Sequence, residues 1–406
     1  MVPNGWENVL LGEVFDFRNG INADKSQYGQ GVKFVNVMDV FGNHILTEPK
    51  IIGRISISDK KLDDNRLEYG DVLFNRTSET FNEIAMSAVY LDNADATFGG
   101  FVIRGRPLTN NLDPKYTVYA FQDSNFRKQV IELGQGAVRA NIGQKDLVKV
   151  GLLVPPVQEQ QKIAKILSTW DKAISTTECL IENSTQQKRA LMQQLLTGKK
   201  RLFDESGQRF DGEWEEVKLG KIADVRDGTH DSPEFIDVGY PLITSKNLLS
   251  SGRLDLSNVK FISEEDYLQI NKRSGVNDGD ILFGMIGTIG NPVKVKSSNY
   301  AIKNVALIKE TGGLLNGFLI YYLSSHDIDK QIHRLNAGGT QKFVALGVLR
   351  NLVIRLPTQQ EQQKIATVLS NANKEIELLE QQLADLQQEK KALMQMLLTG
   401  KKRVVV

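Results

Sequence analysis

Apolar side chains recur at alternating intervals of four and three in two stretches of this chain. Between residues 357 and 400 they fall at Ile365, Leu369, Ala372, Ile376, Leu379, Leu383, Leu386, Leu393 and Leu397, with Lys390 occupying one turn of the series. Between 155 and 198 the same register gives Ile163, Leu167, Trp170, Ile174, Ile181, Leu191 and Leu195, interrupted by Thr177, Ser184 and Lys188. A heptad seam held this long predicts coiled-coil helices, with the Gln-, Glu- and Lys-rich faces in water. Neither stretch has an internal Pro or Gly. Thr358-Gln-Gln-Glu361 fits a capping box at the start of the later helix, and Pro156 can open the earlier one. Both end at Thr-Gly (Thr197-Gly198 and Thr399-Gly400), which suits a left-handed C-terminal cap. At 1.5 Å per residue each helix would be about 60 Å long.

The two stretches are copies. Residues 155–202 align without a gap on 357–404, and 26 of those 48 positions are identical. Each copy opens with Pro and then Gln-Glu-Gln-Gln-Lys-Ile-Ala (158–164 and 360–366), and each closes with Leu-Leu-Thr-Gly-Lys-Lys-Arg (195–201 and 397–403). The preceding regions correspond more faintly. Trp6-Glu-Asn-Val matches Trp214-Glu-Glu-Val, and Gly70-Asp-Val-Leu-Phe74 matches Gly279-Asp-Ile-Leu-Phe283. The chain is therefore one unit written twice. The expected division is a globular region at 1–154, a helix at 155–198, a linker at 199–213, a second globular region at 214–356, a second helix at 357–400 and a tail at 401–406. If the second helix returns antiparallel beside the first, the last residues come back to the first Trp-Glu-x-Val segment.

The globular regions read as mixed α/β (α+β). Short β-rich runs recur at Lys33–Val37, Asp71–Phe74, Met86–Leu91, Pro241–Thr244, Asp280–Phe283, Val293–Val295 and Leu352–Leu356, with Gly, Asn and Asp between them. Each region has one helix near its end, at about Pro114–Leu133 and Asn316–Leu335, followed by a glycine-bearing loop. The fold class expected is two such domains joined by two long antiparallel helices in an intramolecular coiled coil, duplicated about a pseudo-two-fold.

Composition adds mainly exclusions. Fifty Lys and Arg against 49 Asp and Glu leave a net charge of +1. Residues 1–154 hold 17 basic against 19 acidic side chains and 204–356 hold 18 against 20, so any polyanion-binding footprint must be a local patch. One cysteine, Cys179, excludes a disulfide framework, and four dispersed histidines argue against a metal centre. There is no phosphate-binding loop of the Gly-x-x-x-x-Gly-Lys-Ser/Thr kind and no Asn/Asp-Pro-Pro-aromatic methyltransferase loop. No nucleophile–base pair can be picked, so no catalytic residue and no metal ligand is expected. No secretory signal or membrane-length apolar run is read, which makes the cytoplasm the expected compartment.

The duplicated Pro…Gln-Glu-Gln-Gln-Lys-Ile-Ala entries, the Leu-Leu-Thr-Gly-Lys-Lys-Arg exits, the Trp-Glu-x-Val starts, Gly-Asp-Val/Ile-Leu-Phe, Asp227-Gly-Thr-His230 and Gly339-Thr-Gln-Lys342 together resemble the specificity subunit of type I restriction–modification enzymes. The resemblance covers the whole chain. It implies that each globular region is a target recognition domain reading one half of a bipartite, asymmetric site in double-stranded DNA, and that the helices set the spacer and dock two methyltransferase subunits. It implies no catalysis and no cofactor in this chain: S-adenosylmethionine would come with the methyltransferase partner, and ATP and Mg²⁺ with a restriction/translocase partner. A coiled-coil scaffold whose end domains bind proteins is the alternative from another class.

Candidate DNA contacts are polar residues in loops, where Arg and Asn can read guanine and adenine edges. They are Asn75, Arg76, Thr77 and Ser78 after the first Gly-Asp-x-Leu-Phe run and Thr288 after the second. Arg226, Thr229, His230, Thr244, Lys246 and Asn247 form another set. Arg139 and Asn141 follow one glycine loop, and Thr340, Gln341 and Lys342 lie in the other. Arg104 and Arg106 read as ordinary surface charges, and Trp6 and Trp214 as packing anchors at the helix ends. Lys199-Lys-Arg201 and Lys401-Lys-Arg403 suit helix C-termini, with phosphate or partner binding as the competing reading.

Overall fold

The computed structural model describes residues 2–136, 139–335 and 343–405. The chain forms two compact units: residues up to Glu178 with those from Gln381 on, and Cys179–Glu380. Each holds one globular domain and one segment of each long helix, Val157–Leu195 and Gln359–Leu398.

The two domains share one plan. In the first unit the main sheet runs Phe15–Asn19, Val102–Pro107, Val72–Asn75, Ser87–Tyr90 and Ile45–Leu46, antiparallel except for its last pair. In the second it runs Ala223–Asp227, Val305–Glu310, Ile281–Gly284 and Gly290–Lys294, all antiparallel. A three-stranded mixed sheet accompanies each: Tyr28–Val35 between Arg54–Ile55 and Ala96–Phe98, and Tyr240–Ile243 between Lys260–Ile262 and Ala301–Ile302. The Trp-Glu-x-Val segments pair with the strands entering the long helices, Glu7–Leu10 with Gly151–Val154 and Glu215–Lys218 with Val353–Leu356.

The repeated Gly-Asp motif has a structural reason. Gly70 and Gly279 sit at φ +95° and +87°, which turns the chain into a strand buried on both faces. The aspartates close these turns by accepting from Glu68 N and Asn277 N at 2.8 and 2.7 Å, and they pair with Arg106 and Lys309. Arg106 is therefore committed to a carboxylate, and Arg104 is only 3% exposed, so neither is the surface charge expected. The single helix expected before each glycine loop is two. Pro114–Ala120 stops at Phe121, and Asp123 caps Ser124–Leu133 by accepting from Asn125 N and Phe126 N. Asn316–Leu323 and His326–Leu335 repeat the break at the matching place.

Within each unit the helix segments run antiparallel. In the first, Glu159 meets Arg403 and Asp171 meets Lys390. In the second, Ser184, Lys188 and Arg201 meet Glu375, Asn373 and Glu361, the partner number falling as the first rises. Every position of the predicted seam is buried or half-buried. Ile163, Leu167, Met394 and Leu397 join the core of the first unit, and Leu195, Ile365 and Leu369 that of the second. The seam lysines find specific partners. Lys390 pairs with Asp171 above the Tyr119 ring, and Lys188 donates to Asn373 Oδ1 at 2.6 Å above Tyr321. Burial holds the Lys188 ammonium below its usual range.

The duplicated Gln-Glu-Gln-Gln entries are fasteners. Gln160, fully buried, accepts from Asp113 N and donates to Asn111 O and Pro155 O, all at 2.8 Å. Gln362 does the same with Leu315 N, Gly313 O and Pro357 O. Glu361 accepts Arg201 Nε at 2.6 Å and Trp214 Nε1 at 3.1 Å, with the guanidinium over the indole. Glu159, Arg403 and Trp6 repeat this arrangement. The capping box at Thr358 is thus only half made: Thr358 Oγ1 accepts from Glu361 N, but the Glu361 carboxylate is taken by Arg201. The exit arginines are thus held by carboxylates of the entry segments.

Candidate nucleic-acid interface

In the first unit the backbone brings the two candidate segments together with a third loop, Gly99-Gly100-Phe101. Thr77–Ser78 pairs with Ala140–Asn141, so Thr77 lies opposite Asn141. Arg76 accepts from Ile142 N at 3.0 Å through its carbonyl and donates through its N–H to Phe101 O at 2.9 Å. The loop Gly99-Gly100-Phe101 is joined in turn to Ile21, whose carbonyl accepts from Gly100 N at 3.0 Å. Arg76, Arg139 and Asn141 are exposed here, and Phe101 is 64% exposed.

The second unit repeats the frame with other side chains. Val344 N donates to Met285 O as Ile142 N does to Arg76 O, and Asn304 N donates to Thr229 O as Gly100 N does to Ile21 O. Gly20 and Gly228 permit the close approach: a Cβ on either would stand 2.3 Å from a facing carbonyl oxygen, that of Gly99 or of Ile302. Here the locus is polar. His230 Nδ1 faces Asn304 Oδ1 at 2.7 Å and Nε2 faces Asp227 Oδ2 at 3.1 Å, with Arg273 on the other Asp227 oxygen. Two acceptors on one ring are both satisfied only by the imidazolium, and the bonds to Asn304 and then Asp227 raise its pKa above the ordinary histidine range. Ser245 Oγ donates to Asn304 O and accepts from Ile286 N, which joins the 244–247 turn to the same place. Lys246 and Thr288 are exposed there, and Lys303 Nζ donates to Ser232 Oγ.

Several of the expected contacts are buried or already bonded within the protein. Asn75 is fully buried and donates to Glu83 O at 2.9 Å; Ser78 is buried on Glu83 Oε2; Asn247 is buried, donating to Asp255 O and holding Thr244. These side chains build the loops. The Arg226 guanidinium is held by Asp224 at 2.6 Å, and Thr229 Oγ1 accepts from Asp231 N at 3.1 Å. Thr340, Gln341 and Lys342 lie outside the described residues. Phe101, Tyr28 and Asn22 in the first domain and Lys303, Asn304 and Arg273 in the second also stand at these loci, and none of them was expected from sequence. The signal was present: Asn19-Gly-Ile-Asn22 is the counterpart of Asp227-Gly-Thr-His230.

The model of the type I restriction modification DNA specificity domain matches this sequence twice, at residues 3–184 and 211–388. The chain belongs to that family. Its two domains are the two matched copies, each entering one of the long helices. Among curated proteins the chain is similar to the putative type I restriction enzyme MjaX specificity subunit of Methanocaldococcus jannaschii, 26% identical over 99% of this chain and 95% of that protein. It is also similar to the EcoKI specificity subunit of Escherichia coli K12, 20% identical over 90% of this chain and 81% of that protein. Among solved structures, the type I S subunit from M. genitalium superposes with a TM-score of 0.58 at 15% identity, covering 98% of both chains. The HsdS subunit from Thermoanaerobacter tengcongensis gives 0.52 at 18% identity, covering 99% of this chain and 98% of that one. These last two likenesses establish the fold.

Proposed function

We propose that this chain is the DNA-reading, non-catalytic subunit of a type I restriction–modification complex, each domain reading one half of a bipartite, asymmetric site. The observation that carries the reading is the doubled frame with unlike side chains. Matched backbone hydrogen bonds hold the same loops in both domains, yet Arg76 stands where the other has Met285, and Asn22 where it has His230. One scaffold with two chemistries is what two different half-sites require. Under this reading Arg76, Thr77, Arg139 and Asn141 contact DNA from the first domain, and His230, Lys246, Lys303 and Thr288 from the second. Asn75, Ser78, Asn247, Thr244, Thr229 and Arg226 hold the loops that carry them.

The long helices set the number of unread base pairs and offer their exposed faces to methyltransferase subunits, two per complex. Adenine N6-methylation then uses S-adenosylmethionine in that partner, and cleavage uses ATP and Mg²⁺ in a restriction/translocase partner. The complex works in the cytoplasm; among the described residues no helix is long and apolar enough to cross a membrane. The net acidity of both domains fits a subunit that holds DNA tightly only when its partners share the phosphate charge. The test is to co-express the chain with the adenine methyltransferase encoded beside it and to map N6-methyladenine by long-read sequencing in a methylation-deficient host. A gapped, two-part motif that vanishes without this chain supports the reading. Methylation unchanged without it, with the methyltransferase active, favours a protein-binding scaffold.

A further inference from the structure

The exposed locus in the first domain contains something its counterpart lacks. Three backbone bonds match the two domains residue by residue: Gly99 N to Val35 O with Lys303 N to Ile243 O, Gly100 N to Ile21 O with Asn304 N to Thr229 O, and Gly20 N to Val102 O with Gly228 N to Val305 O. Gly100 therefore corresponds to Asn304 and Val102 to Val305. Asn304 and Val305 are neighbours, whereas Phe101 stands between Gly100 and Val102 as one extra residue. Phe101 is 64% exposed and lines a cleft of about 330 Å³ together with Ile21, Tyr28, Phe34, Asn36 and the Gly99-Gly100 backbone. Tyr28 meets Phe34 edge-on at 5.4 Å, and Gly99 leaves room for Phe34, whose ring lies 2.8 Å from where a Cβ would be. Asn22 is exposed at the rim. The corresponding place in the second domain carries His230, Lys303 and Asn304.

We propose that Phe101 and this cleft form an apolar reading element that receives the C5-methyl group of a thymine in the half-site read by the first domain. The inference rests on the DNA-reading function proposed above. Its support is continuity and chemistry. Arg76 is bonded through its backbone to Phe101, so the ring is contiguous with the exposed Arg76–Asn141 edge. A duplex offers apolar contact in its major groove through one group, the thymine methyl, and phosphates gain nothing from an aromatic cleft. At the matching backbone positions the second domain carries His230, Lys303 and Asn304 instead, and among the described residues its exposed apolar side chains, Ile286 and Phe343, lie on a different segment of the locus.

The test uses the full chain assembled with the methyltransferase with which it directs methylation, on duplexes carrying the mapped motif. Each thymine of the first half-site is replaced in turn by deoxyuridine, which lacks only the methyl group. Binding is measured for the wild type, Phe101→Ala and Phe101→Leu, with thermal midpoints as the folding control. At one position deoxyuridine weakens wild-type binding about fourfold, the effect of one buried methyl. Phe101→Ala loses that discrimination, Phe101→Leu keeps most of it, and the Phe101→Ala methylation motif relaxes at that position alone. Equal weakening on every sequence, no effect, or a first half-site without an A·T pair overturns the proposal. Failure of the underlying reading looks different: there would be no chain-dependent motif at all.

Discussion

The duplicated clamps at the helix ends allow a stability prediction with its own internal control. Glu361 and Glu159 occupy matching positions, and each accepts from an arginine and a tryptophan indole. Their surroundings differ in one respect. The Glu361 side chain is 1% exposed and its Arg201 18%, whereas Glu159 is 8% exposed and its Arg403 40%. Removing one member of a well-buried pair costs about 3–5 kcal/mol, because the other charge is stranded. Arg201 keeps a bond to Gly212 O at 2.9 Å and some access to water, so Glu361→Ala is expected to cost about 2–4 kcal/mol. Arg403 rehydrates more readily, so Glu159→Ala is expected to cost about 1–2 kcal/mol. At about 2–4 °C per kcal/mol for a unit of some 200 residues, calorimetry of the full chain should show the larger drop for Glu361→Ala. Because Arg403 holds the Glu159 carboxyl below its usual range, that clamp is intact above the ordinary glutamate pKa and is lost as the pH falls through the lowered value. The wild-type advantage over Glu159→Ala should therefore shrink on acidification. Equal losses at the two sites, or a larger loss at Glu159, would refute the burial argument.

Asn75→Ala should destabilise the chain by about 1–3 kcal/mol by removing a buried donor, while Arg76→Ala should leave Tm within about 1 °C and weaken or relax DNA recognition; melting curves and binding assays on both variants separate the two roles. Lys188→Met should stabilise the helix pair by about 1 kcal/mol in urea unfolding, since burial outweighs what the Asn373 amide, the Tyr321 ring and the charge of Glu377 return to the ammonium. Lys390→Met, which leaves Asp171 with the Tyr119 hydroxyl but no cation, should not; a gain at both positions would contradict the reading of the seam. His230 has a raised pKa, so the stability it contributes is present in full below about 6.5 and fades as the pH rises through the raised value. The Tm difference between wild type and His230→Gln should be larger at pH 6 than at pH 9, and the reverse order would sink the assignment.

The helices, their register and the duplication were legible because a heptad seam is a one-dimensional signal and its two copies calibrate each other. The strands were legible where Gly-Asp turns precede continuous apolar runs. The helix break at Phe121–Asp123 was not, since the aspartate that caps the second helix also reads as an ordinary helical surface residue. The site was only partly legible. Asn75 and Arg76 are adjacent and both suited to base recognition, yet Asn75 ends a strand buried on both faces and Arg76 is the first residue past it, exposed. The exit arginines read as loose cations because Glu159 and Glu361 lie far from them in sequence, and only antiparallel pairing of the helix segments brings each pair together. Phe101 drew no notice because a lone aromatic between two loops has no pattern; it became conspicuous when matched hydrogen bonds showed it to be an extra residue.

The central claim is that each domain reads its own half of the site. The most direct measurement replaces residues 1–154 with the corresponding domain of a relative of different specificity and maps N6-methyladenine with the same methyltransferase. The account predicts that one half of the motif changes to the donor's sequence while the other half and the spacer are retained. A motif that changes in both halves, or in neither, with the chimera folded and methylation active, would contradict it.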